Sequence, residues 1–177
     1  MTVVFRKRKS RKMTRQGRGG MLACSKMLWN KELRLRPARL GDYAFALSLY
    51  LEGAEKHLSK VGQWNRARVV ARFRQGYKLA PALIICVGDK AIGWIQVAEF
   101  VDHLHLRQIH LVRDFRGLGI GTHLVTELLS RADALGKFVT LDVMHGNQAR
   151  FLYLRLGFRQ KGRNAATRQM IWRPPRG

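Results

Sequence analysis

A chain of 177 residues, 46% of them hydrophobic and 25% charged, is long enough to close one sizeable core and short for more than one domain. No apolar run approaches the ~20 residues of a membrane-spanning helix, so no membrane span is expected. The two cysteines cannot build a disulfide framework: Cys86 lies inside an apolar run and Cys24 among basic residues, which fits a reducing, cytoplasmic setting.

Charge sets the ends of the chain apart. The 34 Lys and Arg exceed the 11 Asp and Glu to give a net +23. Ten of the basic residues and no acid fall in residues 1–31, leaving 24 against 11, a net +13, for residues 32–177. Residues 1–31 have no hydrophobic period and few large apolar side chains, and are expected to form a disordered basic tail ahead of a domain at 32–177. Such a tail suits phosphate contacts with nucleic acid. Its Arg-rich, acid-free composition also matches a transit peptide, although only Ser10 and Ser25 supply serine. Translation starting at Met21 or Met27 is the plain alternative. The segment Met21–Cys24 has the look of a lipoprotein cleavage site but lacks the apolar stretch such a signal needs.

Leu33 to Arg36 alternates as a strand and is ended by Pro37. Asp42 reads as the N-cap of a helix through about Glu52, and Gly53 to Trp64 reads as loop. Asn65 can cap a second helix over Arg66 to Gln75, where Val69, Val70, Phe73 and Tyr77 keep helical spacing and Arg66, Arg68, Arg72 and Arg74 form a solvated face. Leu83 to Val87, a Gly88-Asp89 turn and Ala91 to Phe100 make a hairpin, and Val101 to Val112 continues as a further strand.

That strand runs into Ile109 to Thr122, IHLVRDFRGLGIGT. The glycines at 117, 119 and 121 are followed at once by an amphipathic run. Ile120, Leu124, Leu128 and Ala132 recur at four-residue steps, with Val125, Leu129 and Leu135 widening the stripe. A strand feeding a glycine loop feeding a helix gathers free N–H groups and the positive helix end at one place, an anion site suited to phosphate or pyrophosphate. A P-loop is excluded because no lysine follows the glycines. A dinucleotide-binding turn needs G-x-G-x-x-G directly after the strand with an acid about twenty residues on; Asp142 is near that distance, but here the glycines run G-x-G-x-G behind four mostly polar residues.

Gly136 suits a helix C′ position, and Phe138 to Val143 a strand. The segment Gly146-Asn147-Gln148-Ala149-Arg150-Phe151-Leu152-Tyr153-Leu154-Arg155-Leu156-Gly157-Phe158 follows. A closing hairpin pairs Phe158 to Gln160 with Thr167 to Trp172 around residues 161–166.

Arg116-Gly117-Leu118-Gly119-Ile120-Gly121 resembles the Q/R-x-x-G-x-G/A loop of the GNAT superfamily of N-acetyltransferases. The later segment resembles that family's N-x-A-R-x-L-Y-x-R-L-G-F stretch at Asn147, Ala149, Arg150, Leu152, Tyr153, Arg155, Leu156, Gly157 and Phe158. Two such motifs in order, about 25 residues apart, are far more specific than either alone. Arg113 departs from the usual proline, which bears on turn stiffness and not on chemistry. The layout extends over roughly residues 33–172, the close matches over 109–158.

The resemblance implies an α/β (α+β mixed) fold: a central twisted, mixed, mostly antiparallel sheet of about six to seven strands flanked by about four helices. It also implies acetyl-CoA as co-substrate and direct transfer of acetyl to a primary amine in a ternary complex. The cofactor would lie against Leu111, Val112, Arg116, Gly117, Leu118, Gly119, Ile120, Gly121, Thr122, Asn147 and Tyr153. Tyr153 is the general acid by motif position. An amine of pKa near ~10 must lose a proton before it attacks, and His105 falls where family members place a strand carboxylate, with His103, His110 and Glu99 as rivals for the base. Histidine has the intrinsic pKa for that task, and a bulge would change which of the three histidines faces the cleft. With no nearby cysteine and no carboxylate pair, His103, His105 and His110 are not read as a metal site. Tyr50, His57 and Trp64 are candidates for the acceptor side.

A small-molecule or protein amine is the expected partner, with nucleic acid contact by the basic tail and a homodimer both compatible with the sequence. A domain of net +13 is a poor match for a polycationic acceptor. Two other classes stay open: a basic RNA- or ribosome-associated protein that keeps the fold without turnover, and a CoA-binding regulatory domain. The lack of interleaved aromatic and basic residues counts against the first.

Overall fold

Strand β4 (His103–Leu111) is the hinge of the architecture, because it is antiparallel to one neighbour and parallel to the other. The computed structural model describes residues 32–175; residues 1–31, on which the tail reading falls, lie outside them. The other strands are β1 (Leu33–Pro37), β2 (Ala82–Val87), β3 (Lys90–Glu99), β5 (Phe138–Met144), β6 (Arg159–Arg163) and β7 (Thr167–Trp172). They form one seven-stranded sheet in the order β1-β2-β3-β4-β5-β7-β6, in which β4 and β5 are the parallel pair and every other neighbour is antiparallel. The helices are α1 (Tyr43–Leu58), α2 (Arg66–Gly76), α3 (Ile120–Ala134) and α4 (Ala149–Arg155). This is the mixed α/β arrangement expected from the motifs.

Two cores lie on opposite faces of the sheet. On one, α3 packs Ile120, Leu124, Val125, Leu128, Leu129 and Ala132 against Leu104, Leu106, Val139, Leu141 and Val143, with Tyr153 and Phe158 in the same cluster. Each large aliphatic side chain buried there is worth roughly 1.5–3 kcal/mol relative to exposure. Leu135, read as part of the α3 stripe, is 49% exposed instead; it is the residue at which the helix ends before Gly136 turns away with φ 63°. On the other face α1 and α2 cover Ile84, Cys86 and Trp94 with Ala46, Leu49, Phe73 and Tyr77. Among the described residues no helix is long and apolar enough to cross a membrane.

Two features of β4 open the sheet. A register shift lets Gln96 pair with Gln108 but Val97 with Leu106, so Arg107 is bulged out. The extra residue resets the alternation, and His105, Gln108 and His110 all share a face with Ala98, Gln96 and Trp94, their partners on β3. Pairing of β4 with β5 then stops at Leu106 and Leu141, although β4 continues to Leu111 and β5 to Met144. Beyond the bulge the two strands part, and the β5-facing backbone groups of β4 are left without a sheet partner.

Helix α1 corrects the reading of residues 53–64. It runs through Gly53 to Leu58, and a 3-10 turn over Ser59–Val61 prolongs it; Gly62 to Asn65 then lead to α2. Gly53 is a point of close approach and not a break: a Cβ there would sit 3.4 Å from His110 Cε1. Asp42 stands at the N-cap position of α1 but makes no side-chain cap bond to it. Its carboxylate instead accepts from the Arg39 amide at 2.8 Å and from both terminal nitrogens of Arg36 at 2.7 Å, tying β1 to the turn before the helix. Asn65 does cap α2, through an Oδ1 contact of 2.9 Å with the Arg68 amide. The strand read from Val101 starts only at His103, because Val101 lies in the turn and is 96% exposed.

Candidate active site

From the end of β4 the chain makes a 3-10 turn over Arg113–Phe115 and then enters the glycine loop. Gly117 and Gly119 have φ of 76° and 89°, a region that side chains strain to enter. Gly119 is the N-cap of α3 and brings no side chain to its first-turn amides, so these are left for a ligand. Gly121 is different. It lies inside the first turn of α3, where glycine costs about 1 kcal/mol against alanine, and a Cβ there would meet only Leu152 Cδ2 at an ordinary 3.8 Å. The fold therefore has no need of a glycine at 121, and the space it leaves fits a group that must approach the helix end closely.

Other members of the motif are already engaged within the chain. Arg116 donates from Nε to the Leu111 carbonyl at 2.7 Å and pairs with Glu52 of α1 at 2.8 Å, fastening the loop to the helix. The Val112 amide donates to Ile92 O at 2.8 Å. Ile120 is fully buried in the α3 core, so only its backbone can reach a ligand, while Thr122 is exposed and Leu118 half-buried. Asn147 accepts from the Ala149 amide at 2.9 Å; the N-cap of α4 is Gln148, and the helix begins at Ala149 and not at Asn147.

Tyr153 is 6% exposed in the α3-side core and lies edge-on to Phe158 with ring centroids 5.6 Å apart. Burial pushes its pKa up to about 12, so the phenol keeps its proton at any physiological pH. A group held in that form can donate a proton but does not lose it to solvent.

The four rivals for a base separate cleanly. His103 is stacked between Phe100 and Phe138 at 4.4 and 5.0 Å and holds Asp102 at 2.7 Å. Glu99 is bound to Arg131 and Lys137, and the hydrogen bond from Lys137 lowers its pKa. His110 is stacked on Trp94 at 5.2 Å, and burial drives its pKa down to about 4, too low for a useful proton acceptor near neutrality. His105 remains. It is half-buried; its Nδ1 lies 2.8 Å from Thr140 Oγ1 and its Nε2 4.0 Å from Asp142 Oδ2. Burial lowers its pKa below 6.5, and the Asp142 charge works against that shift. His105 is paired with Thr140 next to the point where β4 and β5 part, on the face opposite Tyr153.

Of the candidate acceptor-side residues, Tyr50 lines a pocket on the α1/α2 face with Phe73, Tyr77, Trp94, Gln96 and Gln108. His57 and Trp64 are half-buried and outside that lining. Sequence reasoning missed Thr140, Gln96 and Gln108, and named Asp142 only as the acid that a dinucleotide-binding turn would need. Alternation along β5 does put Thr140 and Asp142 on one face, but only the parallel register with β4 brings them to His105. Among the described residues no three His, Cys, Asp or Glu side chains gather as a metal site.

Comparison with solved structures returns the same fold at low identity. The N-acetyltransferase paia from Thermoplasma acidophilum, solved in complex with coenzyme A, aligns with a TM-score of 0.65 at 16% identity, over 80% of this chain and 98% of that one. An acetyltransferase from Thermus thermophilus gives 0.60 at 16% identity, over 80% and 96%. The ribosomal-protein-S18-alanine N-acetyltransferase from Escherichia coli gives 0.54 at 16% identity, over 82% and 96%. Comparison with curated proteins finds none that matches. The model of the acetyltransferase (GNAT) family matches residues 49–158, more than half of the chain, from within α1 through the parted strands to Phe158, and the chain belongs to that family, whose acetyl donor is acetyl-CoA.

Proposed function

We propose that the chain is an N-acetyltransferase that moves the acetyl group of acetyl-CoA to a primary amine by direct attack within a ternary complex. The observation that carries this reading is the parting of β4 from β5 beside the glycine-led start of α3, with Tyr153 on one face of the sheet and His105 on the other. Acetyl-CoA supplies an activated thioester. The α3 amides and the gap at Gly121 receive its pyrophosphate, and the free edge of β4 between Arg107 and Leu111 lies along the arm as a neighbouring strand would. Asn147, whose Oδ1 accepts from the Ala149 amide, has its Nδ2 group to offer from the other side.

His105 takes the proton of the incoming ammonium. With Nδ1–H donated to Thr140, Nε2 is the basic nitrogen, and Asp142 faces the positive charge that forms there. The amine nitrogen then bonds to the acetyl carbon as the carbon–sulfur bond breaks; Tyr153 supplies the proton that the departing sulfur needs and is restored by the second proton, which the nitrogen sheds on becoming the amide. Ring and carboxylate come from two parallel strands, so the base is held by the sheet itself.

The test is a titration of the full chain with acetyl-CoA followed by a panel of amines and peptides read by release of the CoA thiol. Gly121 is the better position to probe than Gly119, whose φ would strain any side chain. Gly121→Glu is expected to keep the melting temperature and abolish acetyl-CoA binding. Unchanged affinity in that variant would remove the pyrophosphate site from α3.

A further inference from the structure

The pocket on the α1/α2 face measures about 130 Å³. One water needs on the order of 10–15 Å³ on the same measure, so this space admits a group of several heavy atoms. Its walls are aromatic, with Phe73 and Tyr77 both edge-on to Trp94 at 5.9 and 5.4 Å. A flat apolar body suits such walls. The polar groups around them decide what that body carries.

Three lining residues bring polar groups that solvent reaches: Tyr50 from α1, Arg72 from α2 and Gln108 from β4. Arg72 is exposed, and among the described residues its guanidinium has no hydrogen bond and no ion pair. Its charge acts on the Tyr50 hydroxyl, so the two lie close together. Burial nevertheless holds the Tyr50 pKa above 10, and the phenol keeps a proton to donate. Gln108 Oε1 accepts from His110 Nε2 at 2.9 Å, which leaves the Gln108 amide nitrogen as its free donor. Neither the Tyr50 hydroxyl nor that nitrogen has a partner among the described residues, and neither is sealed from solvent.

That set selects the ligand. All three groups donate, one of them carries a full charge, and no lining residue is an acid. An ammonium would be repelled by Arg72, and a carboxamide or alkyl group would leave the guanidinium charge unmet. A planar carboxylate accepts from a guanidinium through both oxygens and keeps lone pairs for Tyr50 and Gln108. Gln108 is the first residue past the bulge and shares the face of His105; their partners on β3, Gln96 and Ala98, are two residues apart, roughly 7 Å of strand. The single carbon between the amine and carboxylate of an α-amino acid does not span that. We propose that this pocket takes a carboxylate, and, resting on the acetyl-transfer reading above, that the acceptor is an aminocarboxylate whose reacting amine lies several bonds from its carboxylate.

The probes are benzoate, benzamide, benzylamine and phenyl phosphate, titrated into the full-length protein without acetyl-CoA. The readout is the Trp94 indole N–H resonance, assigned by its loss in Trp94→Phe. Benzoate is expected to move that resonance saturably and to bind at least about ten-fold more tightly than the other three, the worth of one hydrogen bond to a charged group. Arg72→Gln is expected to remove this preference without lowering the melting temperature. Arg74→Gln, exposed on the same helix but outside the pocket lining, is expected to keep it. Equal loss in both variants would reduce the attraction to general charge and overturn the proposal. So would a resonance that benzoate does not move, or tighter binding of any other probe. In turnover, 4-(aminomethyl)benzoate is expected to exceed 4-(aminomethyl)benzamide through a lower KM, and Arg72→Gln to erase the gap; equal KM values would overturn the assignment to the acceptor. Acetyl-CoA is titrated separately: its failure to bind with the benzoate preference intact would count against acetyl transfer and leave the carboxylate site standing.

Discussion

Burial acts on both groups proposed for the proton transfers, Tyr153 and His105, with opposite consequences. Burial disfavours the charged form, which for the phenol means a proton held up to a pKa of about 12 and for the imidazole a proton shed below 6.5. The protonation states that the proposed acid and base need at neutral pH therefore follow from burial, the largest cause for each. If Tyr153 protonates the departing sulfur, Tyr153→Phe keeps the ring against Phe158 and removes only the donor. Turnover is expected to fall by at least ~10²-fold, with acetyl-CoA affinity and melting temperature unchanged; full activity in the variant would end the assignment. For His105 burial sets the net sign and the Asp142 charge works against it. Asp142→Asn is therefore expected to move the acidic limb of the pH–rate profile to lower pH, and His105→Ala to abolish it. A limb that stays put in both variants would assign deprotonation elsewhere.

Among the elements, those governed by local rules were legible in the sequence. The stripe of α3, the Asn65 cap of α2 and the closing hairpin follow from periodicity and turn chemistry within about fifteen residues. Gly53 misleads because a glycine inside a helix reads as a break, whereas its use is contact with His110, far along the chain on β4. Asp42 misleads in the same manner: it has the right residue type for an N-cap, but the Arg36 guanidinium competes for its carboxylate and wins with two contacts of 2.7 Å. The bulge at Arg107 and the parting of β4 from β5 depend on register between strands, which no local pattern encodes; the first puts His110 on the face of His105, and the second leaves His105 beside the opening. The Arg36–Asp42 pair carries its own prediction, since it is bidentate and Asp42 is only 14% exposed. Asp42→Asn is expected to cost about 1–3 kcal/mol, the range for hydrogen bonds to a charged group. The hydrogen bond from Arg36 holds the Asp42 carboxyl below its ordinary 3.8. The pair's contribution is therefore complete above that pH and is lost as pH falls through it toward the lower folded value. Chemical denaturation at pH 7 and pH 3 checks both statements: the variant and the native chain should differ at the first and converge toward the second.

For the molecule as a whole, the question is how the basic excess is divided between folding and function. Among the described residues, the seven strands, four helices and both cores fall between Leu33 and Trp172, and the candidate site residues lie within 50–153. The start of β1 is held to the turn after β2, by the Gly88 amide donating to Glu32 O at 3.2 Å and by Arg34 bonding Gly88 O and Asp89. Residues 1–26 add nine of the 34 basic side chains and no acid, which can only raise the repulsion with a domain already at +13. A chain that starts at Met27 is therefore expected to keep its melting temperature and its acetyl-CoA affinity. Nonspecific retention on RNA or heparin should fall in the shortened chain, with a weaker dependence on salt, because phosphate contacts set that slope. A loss of many degrees would show that residues 1–26 pack against the sheet. Unchanged, salt-sensitive retention would move the nucleic-acid affinity onto the domain and revive the reading of a basic RNA-associated protein built on the acetyltransferase fold.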